Sequence, residues 1–394
     1  MKDQGAPGRR PFGVEEELLL LDPLTGRPTA LADQVLKTAG RPDTLDYEFK
    51  LDQIEVQTRP CGDHDGLLRE IIAGRRLADS AARALGARAV PLATSPLGSP
   101  SMLAPGLRFA RISDEYGITA EEQLTCALHV HVHVNCPEEG VAVLDRIRDW
   151  LPLLIALSAN SPFWHGRDTG YASFRTQAWN RWPTAGPREL YGTLGAYRAA
   201  ISAMTGTGVA FDEGMAYFDA RLSAKHPTVE IRVADVPLVP EDSALIAVVA
   251  RALVETAARE AAHGAAPLAQ SVSSLRLAAW RASRSGLAGD LIHPMTGVPV
   301  PAAEAIDALL CHLAPVLREG NELALAEAGI AALFDRGTGE RAQRRAAART
   351  GLRSIADLAA STVDEGGEVD DPDLARERLG DDHLGTGASS SLGG

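Results

Sequence analysis

The strict alternation of polar and apolar residues between Cys126 and Val134 constrains the fold more than any other feature of the sequence. A period of two occurs in extended strands, where successive side chains point to opposite faces. His129, His131 and His133 therefore share one face of this strand, and valines occupy the other. The chain must build a sheet with one face for apolar packing and one face that displays imidazoles.

A second strand is predicted over residues 12–21 and displays carboxylates. Its alternation places Glu15 and Glu17 on one face, with Val14 and Glu16 on the other. Two carboxylates about 7 Å apart on one strand face can hold two hard cations side by side. An exposed edge strand with a solvated face would show the same pattern.

The segment 228–235 alternates as well and places Thr228, Glu230 and Arg232 on one face. A carboxylate beside a guanidinium suits a metal-bound phosphate, because the guanidinium binds phosphate oxygens bidentately while the carboxylate holds the cation. An ion pair within the strand would explain this pattern equally well.

For the histidine strand three interpretations are open: a zinc site, a nucleotide or substrate site, and a polar face without a ligand.

The composition excludes several classes of protein. The 394 residues are 45% hydrophobic and 23% charged, which is ordinary for a globular protein and excludes a mostly disordered chain. The formal net charge of −13 argues against non-specific binding of nucleic acid, which needs a positive surface. The N-terminal residues have no apolar core ahead of a small-residue cleavage site, so we expect no secretory signal. The sequence shows no membrane-spanning apolar run, no P-loop motif and no CxxC spacing. We therefore expect a cytoplasmic protein with reduced cysteines and no membrane partner.

No break in composition divides residues 11–362, so we predict one domain there. Residues 1–10 are predicted to be a flexible N-terminus, and residues 363–394, which are acidic and then Gly/Ser-rich, a disordered tail. Helical periodicity predicts helices over 64–87, 141–157, 241–264 and 301–332. The last two are apolar enough to supply a homodimer interface. Residues 160–187 are predicted to form a long loop that carries Arg175 and Arg181.

Seven motifs in a fixed order identify a family resemblance. They are FGVEEE at 12–17, Glu48, QIEVQT at 53–58, HVH at 131–133, SFR at 173–175, TVEIR at 228–232 with Asp235, and GTGERAQR at 337–344. Each motif is short, but their ordered occurrence is specific. Over roughly residues 11–360, the chain resembles the carboxylate–amine ligases of the glutamate–cysteine ligase type 2 family.

This resemblance implies an α+β fold of the glutamine-synthetase type, with a curved, mainly antiparallel sheet and helices packed on its outer side. It also implies an enzyme that uses ATP and Mg²⁺ to form an amide. The substrate carboxylate is phosphorylated to an acyl phosphate, which the amine then attacks. The default pair is L-glutamate and L-cysteine, a carboxylic-acid donor and an amine acceptor, which would give γ-glutamylcysteine.

Site residues are carried over by position. The resemblance implies magnesium ligands at Glu15, Glu17, Glu55, Glu230 and His131. It implies nucleotide contacts at His131, His133, Thr228 and Arg232, and substrate contacts at Arg175, Ser173 and His129. Arg232 is expected to stabilise the transferring phosphoryl group, and Arg175 to hold the acidic substrate or its acyl phosphate. Glu48 is expected to bind metal or accept the amine proton.

Two features of the sequence complicate the assignment of these roles by position. Glu48 and Glu55 are seven residues apart, so an unbroken strand would place them on opposite faces, and a bend or bulge between them is required. His129 occupies a position where the family usually has glycine, and Asn135 another where glycine is common. His129 adds bulk and a donor at the sheet face.

Four alternatives to the default activity are open. The same ligase chemistry could act on a specialised acid and amine pair in secondary metabolism. The chain could instead be a phosphotransferase similar to the guanidino kinases, a binding protein without turnover, or a zinc hydrolase built on the histidine strand.

Overall fold

A computed structural model describes residues 9–98 and 100–364. The described residues form eleven β-strands: β1 Phe12–Leu21, β2 Leu45–Tyr47, β3 Gln53–Gln57, β4 Arg88–Val90, β5 Ala127–His133, β6 Phe163–Trp164, β7 Arg167–Asp168, β8 Ala220–Leu222, β9 Thr228–Asp235, β10 Asp290–Ile292 and β11 Pro299–Pro301. Seven of these strands make the central sheet, and the other four form two separate hairpins.

Fourteen α-helices occur in the same described residues. They are α1 Ala32–Thr38, α2 His64–Arg83, α3 Leu107–Tyr116, α4 Ile118–Glu121, α5 Pro137–Ile147, α6 Leu151–Ser158, α7 Phe174–Trp179, α8 Leu194–Gly206, α9 Pro240–Ala262, α10 Val272–Ser285, α11 Ala302–Glu319, α12 Leu323–Arg336, α13 Gly339–Thr350 and α14 Ser354–Asp364. Among them, no helix is both long and apolar enough to cross a membrane.

The central sheet is antiparallel at each of its described pairings. Its strand order is β2-β3-β1-β5-β9-β8, and β4 pairs with the last residues of β1. The three strands that the sequence alternation predicts, β1, β5 and β9, are therefore neighbours in the middle of the sheet. Their polar faces join into one surface.

One face of this sheet packs against the helices. Phe12 and Val14 of β1, Val130 of β5 and Ile231 of β9 belong to one buried cluster with residues of α5, α6, α9 and α11. Helix α9 is buried around nearly its whole circumference, which is typical of a helix at the centre of a packed layer. The opposite sheet face carries the carboxylates and imidazoles. This is the mainly antiparallel α+β arrangement that the resemblance implied.

Glu16 is the exception on the helix-facing side of β1, because it is a charged side chain in an apolar layer. It is 1% exposed and forms a bidentate ion pair with Arg75 of α2, with two N–O distances of 2.7 Å. Arg75 also donates to the carbonyl oxygens of Pro237 and Leu238, and Ser243 of α9 donates to Glu16 at 2.6 Å. This network joins β1, α2, the end of β9 and α9.

Several predicted elements are divided in the structure. The helix predicted over 141–157 is two helices, α5 and α6, because Pro152 lacks an N–H and fits only the first turn of a helix. The helix predicted over 301–332 is also two, separated at Asn321, whose φ of 54° ends helical geometry. The loop predicted over 160–187 contains the hairpin β6–β7 and helix α7.

The boundaries of the ordered chain differ slightly from those predicted. Arg10, which was expected to be flexible, donates to Glu255 at 2.6 Å and to Glu139 at 2.7 Å. Residues 363 and 364 were expected to lie in the tail but form the end of α14, where Asp364 pairs with Arg88. Residues 1–8 and 365–394, on which the rest of these two predictions falls, lie outside the described residues.

We expect Arg75→Met to lower the free energy of unfolding by about 3–5 kcal/mol, because it leaves Glu16 buried without its counter-charge. Urea unfolding followed by circular dichroism measures this change. The matched control is Lys37→Met, which removes the exposed ion pair with Asp33 and should cost about 0.5 kcal/mol or less. Equal losses in the two variants would contradict the role given to the buried pair.

Candidate active site

A cavity of about 1130 Å³ opens on the polar face of the central sheet. The side chains on its floor come from β1, β3, β5 and β9, and its walls come from the β2–β3 connection, α3, α7, α8 and the β8–β9 hairpin. Eight predicted site residues line it: Glu15, Glu17, Glu48, Glu55, His129, His131, Glu230 and Arg232. This volume exceeds the upper end of the usual range for one ligand, about 1000 Å³.

The antiparallel register of β1 and β3 collects carboxylates at one end of the cavity. Glu17 is directly opposite Glu55, and Glu15 is opposite Gln57, whose side chain donates to Glu55. The backbone N–H of Ala127 donates to Glu17 at 2.8 Å. Like charges directly opposite each other destabilise a sheet. This pairing is therefore expected where a bound cation compensates the charge.

Glu48 joins this acidic group through a reversal of the chain. β2 and β3 form an antiparallel hairpin, and Glu48 lies in the connection that follows Tyr47. The sequence required a bend or bulge between Glu48 and Glu55, and the structure has a complete turn there. As a result both carboxylates reach the same cavity.

The acidic group holds protons more tightly than isolated carboxylates do. Burial raises the pKa of Glu17 to about 8, and the charge of Glu48 adds to this rise. Burial and the charge of Glu48 also hold the pKa of Glu55 well above its usual range. A divalent cation bound between these groups would displace the protons and restore the carboxylates.

Glu15 lies between two imidazoles. Its Oε2 is 3.4 Å from Nδ1 of His129, and its Oε1 is 3.3 Å from Nε2 of His131. Burial would raise the pKa of Glu15, but the two histidines outweigh it and hold that pKa well below its usual range. Burial lowers the pKa of His129 to about 4, with the positive charge of Arg232 acting in the same direction. The His129 ring is therefore neutral near pH 7.

Glu15 and His131 also belong to a potential cation site. Ligand atoms of Glu15, His131 and Glu230 all lie within 4.8 Å of one another. Imidazole nitrogens and carboxylate oxygens are ordinary ligands for divalent metals. The donor set therefore fits a bound divalent cation, as the resemblance implied.

A β-bulge aims Arg232. In the pairing of β5 with β9, Leu128 is opposite Ala234 and Val130 is opposite Ile231, so two residues of β9 face the single residue His129. Bulges commonly re-aim a side chain beside a functional site. Here the bulge contains Arg232, which lines the cavity and pairs with Glu230.

Glu230 is held by two arginines rather than one. Arg221 of β8 binds it bidentately at 2.8 and 3.2 Å, while Arg232 contacts it from within the same strand. Burial would raise the pKa of Glu230, but Arg232 and Arg221 outweigh it and hold that pKa well below its usual range. The intra-strand ion pair considered from the sequence thus exists, and it lies inside the cavity.

Arg175 and Ser173, which are predicted to contact the substrate, lie against the bulged strand. Arg175 is 2% exposed and donates to the carbonyl oxygens of Arg232 and Val233, the two bulge residues, at 3.2 and 3.3 Å. Ser173 is fully buried and donates to Asp235 at 2.8 Å. Neither residue is among the described residues that line the cavity. Both support the bulged strand, and their contact with a substrate stays a prediction.

His133 and Thr228 are predicted to contact the nucleotide. They are opposite each other at the end of the β5–β9 pairing, and neither is among the described residues that line the cavity. The hydroxyl of Thr228 lies 3.0 Å from Nδ1 of His131. Thr228 therefore orients a cavity histidine, and its contact with a nucleotide stays a prediction.

Sequence reasoning missed several residues of the site. Arg221 of β8 lies opposite Glu230 in the strand register, but none of the sequence motifs contains it. Trp179 lines the cavity between two cations, with its ring centroid 5.7 Å from Arg175 and 5.8 Å from Arg232. The spacing along the chain gives no signal for Trp179, because it belongs to a segment predicted to be a loop.

The segment 337–344, which contains two glycines, packs against Asn160. A side chain at Gly339 would place its Cβ 2.1 Å from Oδ1 of Asn160, so only glycine fits there. Gln343 donates to the same side chain at 2.7 Å, and the backbone N–H of Asn160 donates to Asp235. The segment, which is described in full, contributes no residue to the cavity wall. It fastens α13 to the end of β9.

A profile of the glutamate–cysteine ligase family 2 matches residues 11–377. A protein of Paenarthrobacter aurescens strain TC1, provisionally named glutamate–cysteine ligase 2-1, is 51% identical over 375 residues, which cover 93% of this chain and 98% of the relative. A provisionally named glutamate–cysteine ligase 2-1 of Streptomyces avermitilis is 49% identical, covering 87% of this chain and 96% of the relative.

Two solved structures share the fold. The glutamate–cysteine ligase of Francisella tularensis, crystallised in complex with AMP, superposes with a TM-score of 0.71 at 13% identity, covering 94% of this chain and 92% of that one. The bifunctional glutathione synthetase of Pasteurella multocida gives a TM-score of 0.67 at 15% identity, covering 91% of this chain and 53% of that one. These likenesses confirm the predicted fold class.

The profile match spans most of the chain, and the relatives agree with it over nearly their whole length. The sequence motifs, the antiparallel sheet and the acidic cavity are consistent with that match. The protein therefore belongs to the glutamate–cysteine ligase family 2 and is a ligase.

Proposed function

We propose that this ligase forms an amide from a carboxylic acid and an amine, using ATP and Mg²⁺, with L-glutamate and L-cysteine as its default substrates. The observation that carries the proposal is the cavity on the sheet, where a group of carboxylates lies beside Glu230 and two arginines. ATP use is supported by the AMP complex of the Francisella tularensis enzyme, which has the same fold.

The acidic end of the cavity suits magnesium. Glu15, Glu17, Glu55 and Glu230 offer carboxylate oxygens, the ligands that Mg²⁺ prefers, and His131 offers one nitrogen. Bound Mg²⁺ would neutralise charge on the β- and γ-phosphates of ATP during transfer. Burial raises the pKa values of Glu17 and Glu55, and the nearby charge of Glu48 adds to the rise.

The basic groups suit the phosphates and the acidic substrate. Arg232 and Arg221 lie beside Glu230, and a guanidinium can bind phosphate oxygens bidentately. Arg198 and Lys225 also line the cavity, and within the described part of the chain their side chains form no hydrogen bond or ion pair. Their charges are therefore available to a carboxylate or a phosphate.

The proposed reaction has two steps. A carboxylate oxygen of the donor attacks the γ-phosphorus of ATP, and ADP leaves with the bonding electrons. The amine nitrogen of the acceptor then attacks the acyl carbon, the bond to phosphate breaks, and the amine loses one proton. Glu48 lines the cavity near Glu17 and Glu55 and is our candidate to accept that proton.

The products of turnover test the proposal directly. We expect ADP release that depends on both glutamate and cysteine, with a product whose mass is that of the two amino acids minus one water. The measurement is a matrix of acids and amines with ATP and Mg²⁺, followed by mass spectrometry. An amide from another pair would keep the ligase chemistry and reject the default substrates. A phosphorylated acid or guanidine without any amide would contradict the proposal.

We expect Arg232→Lys to lower kcat by about 10²–10³-fold, because one ammonium cannot reproduce the planar fork that stabilises developing charge. Steady-state kinetics with the best substrate pair measure the change, and circular dichroism verifies folding. Arg353→Lys alters an exposed arginine that pairs with Asp357 and serves as the control. Near-wild-type turnover of a folded Arg232→Lys protein would refute the assigned role.

Glu17→Gln should stabilise the metal-free protein increasingly as the pH rises. The folded protein binds the Glu17 proton more tightly than the unfolded chain, because the folded pKa is about 8 and the ordinary value is 4.5. Wild-type stability therefore falls as the pH rises between these values, and the variant lacks this loss.

Thermal unfolding in chelator at about pH 5 and about pH 9 tests this linkage. The Tm of the variant should rise relative to that of the wild type at the higher pH. Added Mg²⁺ should raise the Tm of the wild type more than that of the variant, because the Glu17 carboxylate then binds a cation. Glu304→Gln changes an exposed carboxylate and is the control. A pH-independent difference between Glu17→Gln and wild type would reject the linkage.

A further inference from the structure

Five aromatic side chains form one wall of the active-site cavity. Neighbouring rings have centroids 4.9 to 6.2 Å apart, in the order Trp179, Tyr217, Trp182, Phe49 and Phe109. All five residues of this aromatic wall line the cavity; Trp182 is buried and the other four are half-buried. Half-buried rings at a cavity present apolar surface to the molecule that binds there.

The strand register places one end of the aromatic wall far from the cation site. Glu48 and Phe49 follow β2, so they reach the cavity beside the start of β3. The start of β3 is opposite Leu19 of β1, whereas His131 is opposite Gly13. These two positions are six residues apart along β1, which is about 20 Å in an extended strand. The cavity therefore has two distinct ends.

The end near His131 is basic. The turn between β8 and β9 carries Lys225 and His226, and the ring of His226 lies 6.2 Å from that of His131. Helix α8 reaches the same end, because its Tyr197 accepts from the backbone N–H at the end of β8, and the next residue is Arg198. The side chains of Arg198 and Lys225 are exposed and line the cavity. Such charges favour the triphosphate of ATP at this end.

The end formed by the aromatic wall favours an amine. Burial raises the pKa of Tyr217, two arginines lower it, and the charge of Glu48 adds to the rise, so Glu48 is close to the wall. Both arginines are paired with carboxylates, Arg108 with Asp212 and Arg232 with Glu230. An ammonium group is attracted by a carboxylate and by the face of an aromatic ring. The nitrogen of an amine can therefore lie near Glu48 while its substituent packs on the rings.

We propose that the amine acceptor of this ligase carries an aromatic ring or a similarly large apolar group, which binds against the aromatic wall, and that such amines are preferred to cysteine. The side chain of cysteine is one methylene group and a thiol, so it would leave most of the wall in contact with water. A phenyl group covers more of this surface, and removing apolar surface from water is favourable. The inference rests on the proposed function for the amide chemistry and narrows its acceptor.

Two matched pairs of amines measure this preference. L-Phenylalanine differs from L-alanine by one phenyl ring, and 2-phenylethylamine differs from ethylamine in the same way. With ATP, Mg²⁺ and the best acid, we expect the ring to raise kcat/KM for amide formation by about tenfold or more in at least one pair, to a value above that of cysteine. A higher kcat/KM for cysteine than for both amines that carry the ring would overturn the inference.

Variants locate the effect of the ring. Phe109→Ala shortens a half-buried side chain of α3 and should raise the KM of the preferred amine by about tenfold, with little change in the KM of ATP. Phe49→Leu should also raise the KM of that amine, which keeps the test valid if Phe109→Ala does not fold. Trp280→Ala removes a ring that is 41% exposed on α10 and should keep the full effect. A rise in the KM of ATP alone in both wall variants would assign the wall to the adenine base and contradict the inference.

A binding measurement separates failure of this inference from failure of the proposed function. Isothermal titration calorimetry of the full-length protein with 2-phenylethylamine and with ethylamine needs no turnover. Tighter binding of 2-phenylethylamine that is lost in Phe109→Ala would support an amine site at the wall even if no assay yields an amide. Amide formation from glutamate and cysteine, without an effect of the ring on binding or turnover, would confirm the proposed function and overturn this inference.

Discussion

The buried ion pair between Glu16 and Arg75 is the interaction on which the arrangement of the site depends. It fixes the orientation of β1, since a strand that slipped by one residue would turn Glu16 towards the cavity and Glu15 into the helix layer. Arg75 also binds the carbonyl oxygens that follow β9, so the same side chain holds the two strands that carry the proposed cation ligands. No side-chain nitrogen or oxygen atom of Glu16, Arg75 or Ser243 is left without a hydrogen-bond partner, which makes the arrangement specific.

On the opposite face of the sheet, the same strand arrangement brings like charges together. Cross-strand register places Glu17 against Glu55, and Glu48 arrives from the hairpin connection, so three carboxylates share a partly buried space. A sheet selected for stability alone would not pair like charges in this way. Burial, together with the charge of Glu48, raises the pKa values of Glu17 and Glu55. Local departures from stable pairing of this kind are typical of functional sites.

The basic part of the site depends on a second layer of contacts. Arg175 donates to the carbonyl oxygens of the bulge that aims Arg232, and Ser173 and Ser161 bind Asp235 at the end of the same strand. Residues of the segment 337–344 extend this support through Asn160. Motifs that point to a ligase family therefore fall into two groups, those that line the cavity and those that hold the lining strands in place.

The sequence by itself determined which residues share the polar face. Alternation places Glu15, His131 and Arg232 on that face without knowledge of any partner, because side-chain direction in a strand depends only on position. The ordered motifs indicated the family and the fold class, and both are confirmed.

Only the tertiary structure decided what the remaining residues touch. Arg175 binds the carbonyl oxygens of the bulge, and Glu16 lies next to two predicted cation ligands but pairs with a helix 59 residues away. The turn that brings Glu48 to Glu55 and the bulge at Arg232 depend on strand register between distant segments. Local patterns carry no information about such contacts, because they depend on which elements meet and at what offset.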